Sequence, residues 1–417
     1  MRVRRLQLAD YRNFPRLDFS LPTGPVVIVG GNAQGKSNLL EAVYLLSTMR
    51  SPRADSDGEL IRQQAAQVEG APPLARLVAE VEGRTGPLRL EMVVVARSGG
   101  LGSLAARPVG VPRANKVVRV NGVARRLADA VGQLNAVLFT AHDMEVIDGP
   151  PSLRRRYLDI TVSQVDRGYL RALQRYAKVL LQRNHLLKRV QEGSARREEL
   201  AFWSQELVRE GSYIVWSRAL TVASLGPLAA AAHAALTEGE EELALDYQPQ
   251  LGGAVDGLQA ASLSQGELAA AFAQVIGQWG EREIGAGVSL LGPHRDDLLF
   301  HLNGISAATF ASRAQQRTIA LALRLAEARY LLERRGESPV LLLDDVLSEL
   351  DGRRRAAVLS AIADYEQVLV TATELDRFLA DFLEGASLFQ VAGGSLEAMA
   401  GASGAETGEA SSGAPSP

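Results

Sequence analysis

Cysteine is missing from all 417 residues, so neither a disulfide nor a thiolate metal site contributes to this fold or its chemistry. An excess of positive charge is missing too. A net charge of −3 excludes a wholesale basic coat, and any contact with nucleic acid has to use local patches. No apolar stretch approaches the length of a membrane span; the longest candidate, Leu228 to Leu236, is alanine-rich and broken by His233. Met1-Arg2-Val3-Arg4-Arg5 leads directly into an alternating, strand-like segment with no signal-peptide core. These absences point to a cytoplasmic protein with no membrane partner. Hydrophobic residues make up 47% of the chain, enough for two or three structural units.

What is there begins with Gly30-Gly31-Asn32-Ala33-Gln34-Gly35-Lys36-Ser37, a match to the P-loop pattern G-x-x-x-x-G-K-[ST]. The glycines let consecutive N–H groups wrap an anion. Lys36 reaches the β- and γ-phosphates of a nucleotide, and the Ser37 hydroxyl ligates Mg²⁺. The flanks suit the motif. Val26 to Val29 reads as a buried strand, and Asn38 to Leu46 as a helix whose N-terminus faces the phosphates. ATP and Mg²⁺ are the cofactors expected.

Pro339 to Asp345 is an apolar strand ending in two carboxylates, the Walker B form. Asp344 is expected on the metal and Asp345 as the group that polarises the attacking water. Ser312-Arg313-Ala314-Gln315 opens an amphipathic helix one element before that strand, and Ser348-Glu349-Leu350-Asp351 follows it. A serine hydroxyl at a helix N-terminus makes a second anion clamp. The same Ser312 serves equally as an N-cap of its own helix. Lys36, Asp345 and Ser312 form the expected catalytic set; residues 30–38 with Gln315 form the expected nucleotide contacts.

The order P-loop, insertion, Ser-x-x-Gln, Walker B, Ser-x-Leu-Asp resembles that of the ABC-type ATPases, and the resemblance implies an α/β fold of mixed sheets with helices, an ABC-type P-loop ATPase head carrying an inserted α-helical arm. The expected division is 1–150 for the first part of the head and 151–284 for the helical insert. The second part of the head follows at 285–395, then a disordered tail at 396–417. Within the insert, Leu170, Leu173, Ala177, Leu180, Asn184 and Leu187 follow a 3-4-3-4-3 spacing, the seam of an αα-hairpin that either projects or packs as a bundle. Ser98 to Pro112 reads as a surface loop, and Val117 to Val120 with Asn121-Gly122 as a hairpin.

Several segments narrow the class further: Leu8 to Phe14, Asn32 to Tyr44, Asp148 to Asp159, Leu291-Gly292-Pro293-His294-Arg295-Asp296-Asp297-Leu298, Ser312 to Gln316 and Leu343 to Asp351. Together they resemble the RecF family of ABC/SMC-like ATPases over residues 8 to 351. The resemblance implies a slow, DNA-stimulated ATPase that dimerises on ATP and binds DNA. It also implies RecO and RecR as partners in loading RecA at single-stranded gaps, within recombinational repair, replication restart and the SOS response. By resemblance to related ABC ATPases, Arg12 and Asn13 contact nucleotide. Four departures stand out. Ala33 replaces a glycine, harmless while its φ stays negative; Ala314 replaces the signature glycine and brings a Cβ to the clamp. Asp345 stands where many ABC ATPases have Glu, and Ala372 where they have a switch histidine, both pointing to slow hydrolysis.

For DNA the candidates are Arg50, Arg53, Arg154, Arg155, Arg156 and Arg295. The run Arg154-Arg155-Arg156 either pairs phosphates or is a face salt-bridged to neighbours. Two other readings remain open: a different ABC-type ATPase of the SMC or transporter class, or a nucleotide-gated scaffold with incidental hydrolysis.

Overall fold

The computed structural model describes residues 1–67, 72–97, 113–376, 378 and 380–399; the expected loop at 98–112 and most of the expected tail lie outside them. In chain order, β1 (Arg2–Tyr11) and β2 (Phe14–Ser20) form a hairpin, and β3 (Gly24–Val29) leads into α1 (Lys36–Thr48). Then come β4 (Leu74–Gly83), β5 (Gly86–Arg97), β6 (Arg113–Val120) and β7 (Val123–Arg125), and β8 (Ala136–Thr140). Asn121 and Gly122 both take positive φ, 51° and 79°, as the two-residue turn between β6 and β7 requires.

The second half is mostly helical: α2 (Pro151–Val165), α3 (Arg167–Gln191), α4 (Leu200–Thr237) and α5 (Gln265–Ala286), with β9 (Leu243–Gln248) before α5. After β10 (Asp297–Leu302) and β11 (Ile305–Ser306) come α6 (Arg313–Arg335), β12 (Val340–Asp344), α7 (Gly352–Ala363), β13 (Gln367–Ala372), β14 (Ser387–Ala392) and β15 (Ser395–Ala398).

Three sheets result. One is antiparallel, in the order β2-β1-β4-β5-β6-β7. The central sheet runs β15-β14-β3-β13-β12-β8, parallel except for the edge strand β15. Its four strands β3, β13, β12 and β8 are apolar at nearly every position because both faces are covered. Alternation along β3 assigns the faces. Val26 and Ile28 join α1 and the antiparallel sheet in one core, while Val27 and Val29 join the helical layer in the other. Both neighbours of the P-loop strand β3 are C-terminal strands, β13 and β14.

The third sheet, β11-β10-β9, places a strand, β9, within the expected helical insert at 151–284. Leu243 and Tyr247 are buried on one face of β9, an alternation passed over between two long helices. β9 pairs with β10 in register from Asp297↔Gln248 to Leu302↔Leu243, so strand pairing crosses the expected boundary at 284/285. The start of the tail is corrected as well: residues 395–398 pair with β14.

The hairpin of α3 and α4 packs on the head along α6 and α5. The buried seam of α3 is Tyr169, Ala172, Tyr176, Val179, Arg183, Leu186 and Leu187; it shares Leu187 with the expected seam, whose Leu170, Leu173, Leu180 and Asn184 are half-buried at its edge. Counting apolar residues missed it because two tyrosines and an arginine hold the interior. Arg183 is 2% exposed and donates to Glu283 at 2.6 Å and to Ser289 Oγ at 2.7 Å. The stretch Arg197–Thr237 is long and apolar enough, by length and composition, to cross a membrane, which corrects the expectation that none is. Its alanine-rich half continues as helix straight through Pro227. Its packed face carries a buried arginine, Arg218.

Candidate nucleotide site

Strand β3 ends at Val29, and the chain turns through residues 30–35 into α1. Gly35 has φ +114°, and a Cβ there would lie 2.5 Å from the Asn13 amide, so only glycine closes the loop. Gly30 is constrained from the other side, where a Cβ would sit 2.5 Å from the Val391 carbonyl. Asn13 Nδ2 donates to the Gln34 carbonyl at 2.8 Å and its Oδ1 accepts from Asn38 at 2.7 Å, while Gln34 Oε1 accepts from Gly393 N–H. Asn13 therefore braces the loop. Ala33 stands at φ +63°, so the condition under which it would be harmless, a negative φ, is not met. An L-residue there costs about 1–2 kcal/mol, the strain a glycine avoids.

Asn32 to Asn38, Arg53, Asp344 and Asp345 line a cavity of about 220 Å³. Lys36 Nζ donates to the Gly30 and Gly31 carbonyls at 2.6 and 3.0 Å. Burial lowers its pKa below the ordinary lysine value, opposed by the charges of Asp345 and Asp344. Ser37 Oγ donates to Asp344 Oδ1 at 2.7 Å, which joins the P-loop to the end of β12. Thr371, one strand over, donates to the same Oδ1 at 2.9 Å and accepts from Asp345 N–H at 3.0 Å. Sequence reading passed Thr371 by, since attention fell on its neighbour Ala372. Asp345 has φ +54°, and its buried Oδ1 has no hydrogen-bond partner. An orphaned carboxylate oxygen, held on strained backbone beside a hydroxyl–carboxylate pair, fits a hydrated divalent cation and its water.

The remaining expected contacts lie outside this cavity. Arg12, at φ +53°, grips the buried Glu41 through two hydrogen bonds of 2.9 and 2.7 Å. Glu41 was missed by the motif, although a charge inside an apolar helical run is a signal. Ser312 and Ala314 are exposed at the start of α6; Ser312 Oγ caps the helix by accepting from Gln315 N–H at 3.3 Å. Gln315 reaches Glu241 at 2.8 Å.

Of the DNA candidates, the surroundings correct Arg154 alone. Arg53 faces the P-loop cavity, donating to Asn38 Oδ1 at 2.6 Å and to Glu41 at 3.1 Å. Arg154 is 6% exposed and forms a bidentate pair with Asp297 at 2.6 and 2.9 Å. Arg155 donates to the Asp296 carbonyl and Arg156 to the Ser51 carbonyl. Arg50 and Arg295 are exposed, without an ion pair among the described residues.

The segment around Arg295 is a structural joint. The buried Asp296 accepts from Arg218 at 2.9 Å, from the Tyr247 hydroxyl and from Gln250 N–H, while Arg218 also reaches Asp159 at 2.8 Å. Gly292, at φ +120°, leaves no room for a Cβ against the Tyr176 hydroxyl. Arg154→Ala strands Asp297 and should cost about 3–5 kcal/mol of stability in a denaturant titration, as for any broken buried pair. The salt dependence of DNA binding should stay parental; a changed slope with unchanged stability would return Arg154 to the DNA surface.

A P-loop on a parallel sheet, faced by a second antiparallel sheet and a helical layer, defines an ABC/SMC-like ATPase head. The family model described as the RecF/RecN/SMC N terminal domain matches residues 2–381. Proteins of Chloroflexus aggregans and Chloroflexus aurantiacus, each described as DNA replication and repair protein RecF, are 44% and 45% identical over 401 and 403 residues. Each match covers 95% of this chain and 99% of the relative. The chain belongs to the RecF family of DNA replication and repair proteins. Among solved structures, the recombination mediator protein RecF with ATP, in the RecFOR pathway, superposes with TM-score 0.79 at 27% identity, covering 95% of this chain and 97% of that one. The Smc head domain of Pyrococcus furiosus, at TM-score 0.51 and 15% identity over 95% of both chains, shares the fold.

Proposed function

We propose that the protein is an ATP-gated DNA clamp of recombinational repair: ATP and Mg²⁺ drive a two-fold homodimer, the dimer binds DNA, and slow, DNA-stimulated hydrolysis releases it. The observation that carries this reading is a division of parts. Lys36, Ser37, Asp344 and Asp345 line one cavity, whereas Ser312 is exposed outside it at the head of a 23-residue helix. A serine and helix N–H groups that face no anion in their own chain gain one from a partner's nucleotide.

In this scheme residues 30–38 hold the phosphates, with Lys36 on the β- and γ-phosphates. Ser37 and Asp344 hold Mg²⁺, which neutralises charge between the phosphates. Asp345 orients the attacking water. Slow turnover is supported by the short Asp345 side chain and by the methyl of Ala372, which carries no imidazole. RecO and RecR as partners, RecA loading at single-stranded gaps, replication restart, the SOS response and a cytoplasmic location extend the proposal through family membership.

The test is a DNA-binding titration with and without Mg²⁺ and ATP, on gapped, single-stranded and duplex DNA, for the parent and Lys36→Ala. The parent should bind more tightly with ATP. Lys36→Ala should lose nucleotide binding and the ATP-dependent gain together, since the charge facing the β/γ-phosphates is gone. Equal DNA affinity with and without ATP in the parent rejects the gate.

A further inference from the structure

Helix α3 carries seven Arg or Lys and not one Asp or Glu in its 25 residues, in a chain that is acidic overall. At about 100° per residue, Arg167, Arg171, Lys178, His185 and Arg189 fall within roughly 40° of one another. All five are exposed, on the side away from the buried seam of Tyr169, Tyr176 and Arg183. From Arg167 to Arg189 the stripe is about 33 Å long, at 1.5 Å per residue.

Helices on a merely solvated face carry both signs of charge, as α4 does with Glu206, Arg209 and Glu210. On α3 the neutralisation is incomplete. Asp129 is shared between Arg171 at 3.0 Å and Arg126 at 3.0 Å, two cations for one carboxylate. Arg167, Lys178 and Arg189 have no acidic partner among the described residues. The stripe continues onto the head, where Arg50 edges the groove that Leu170, Leu173 and Gln174 line from α3.

We infer that the exposed face of α3 is a track for the phosphate backbone of duplex DNA, read without regard to sequence; this rests on the DNA-binding function proposed above. Its length equals about one turn of duplex, roughly 34 Å. The choice of duplex over single strands follows from the aromatics. Single-strand surfaces stack bases on aromatic rings, and both tyrosines of α3 are buried, at 0% and 4% exposure, in the opposite face. No other Phe, Tyr or Trp occurs in the helix. Guanidinium and ammonium groups spaced along a straight helix, with no exposed Phe, Tyr or Trp beside them, suit phosphates.

The experiment substitutes Arg167→Ala, Lys178→Ala and Arg189→Ala together in the full chain with Mg²⁺ and ATP. Alanine keeps the helix, and none of the three lies in the nucleotide cavity. Duplex affinity is measured against salt on two unrelated sequences, alongside single-stranded DNA and ATP-dependent dimerisation. The log–log salt slope on duplex should fall by about 2–3, near 0.9 per lost phosphate contact, equally on both sequences. Dimerisation should stay parental, and the single-strand slope should change by less than one contact. A parental duplex slope in the triple variant overturns the track, whatever happens to adsorption on anionic vesicles. A loss confined to single strands overturns it too. A parent with no salt-dependent DNA binding at all would instead overturn the DNA function on which the track rests.

Discussion

Ser312→Arg binds Mg²⁺ and ATP like the parent but sediments as a monomer: that is the expected result with the largest structural consequence. Ser312 lies outside the cavity formed by its own P-loop, so nucleotide affinity in one chain does not depend on it. In the proposed dimer its hydroxyl and the first N–H groups of α6 meet the partner's γ-phosphate, where an arginine has no room. Losing one hydrogen bond to a charged group costs about 1.5–3 kcal/mol, so dimerisation should weaken by about one to two orders of magnitude. Ser312 also caps α6, and losing the cap costs about 1 kcal/mol. Ser312→Asp separates the two roles, because aspartate caps the helix well but repels a phosphate. It should keep parental thermal stability and still fail to dimerise. Sedimentation with ATP and Mg²⁺ decides; an undiminished dimer in both variants removes Ser312 from the interface.

Asp345→Asn should retain ATP binding and ATP-driven dimers while hydrolysis falls by about 10²–10⁴-fold, the usual contribution of a general base. The substitution is nearly isosteric, and asparagine accepts the positive φ at this position. Asp344 keeps its contacts to Ser37 and Thr371, so the metal-side pair is untouched. Single-turnover hydrolysis with dimerisation followed in parallel is the measurement. Parental turnover would show that another group orients the water. A variant that neither binds ATP nor dimerises would mean that Asp345 serves the architecture of the loop.

Much of the nucleotide cavity was legible because its residues lie in two contiguous stretches with fixed spacing. Lys36, Ser37, Asp344 and Asp345 were readable as a set, and the structure gathers them around one cavity. Distances in space between remote residues were not readable. Nothing in the sequence ties Thr371 to Asp344, Arg154 to Asp297 or Arg183 to Glu283. A run of three arginines looks like one basic patch in sequence, but successive residues on a helix point about 100° apart, so Arg154 and Arg155 reach Asp297 and Asp296 while Arg156 turns to Ser51. The seam of α3 failed for a related reason. Hydrophobic periodicity counts leucines, whereas this interior is built from tyrosine hydroxyls and guanidinium groups with their partners in place. β9 was hidden because its hydrogen-bonding partner lies some fifty residues further on, beyond a long helix.

The placement of β3 bears on how the protein is made. The strand that carries the P-loop emerges early from the ribosome, yet its two neighbours in the sheet are β13 and β14, and the second of these also abuts Gly30. Roughly 360 residues separate β3 from the end of β14, about 20–70 s of synthesis at 5–20 residues per second. Until β13 and β14 are made a strongly apolar strand has both edges open, and the loop has its brace from Asn13 but not its contact with Val391. A polypeptide cut short before β14 lacks one of the two strands that flank β3 and the carbonyl packed on Gly30, so the expectation is that only chains carried past β14 assemble the P-loop in full.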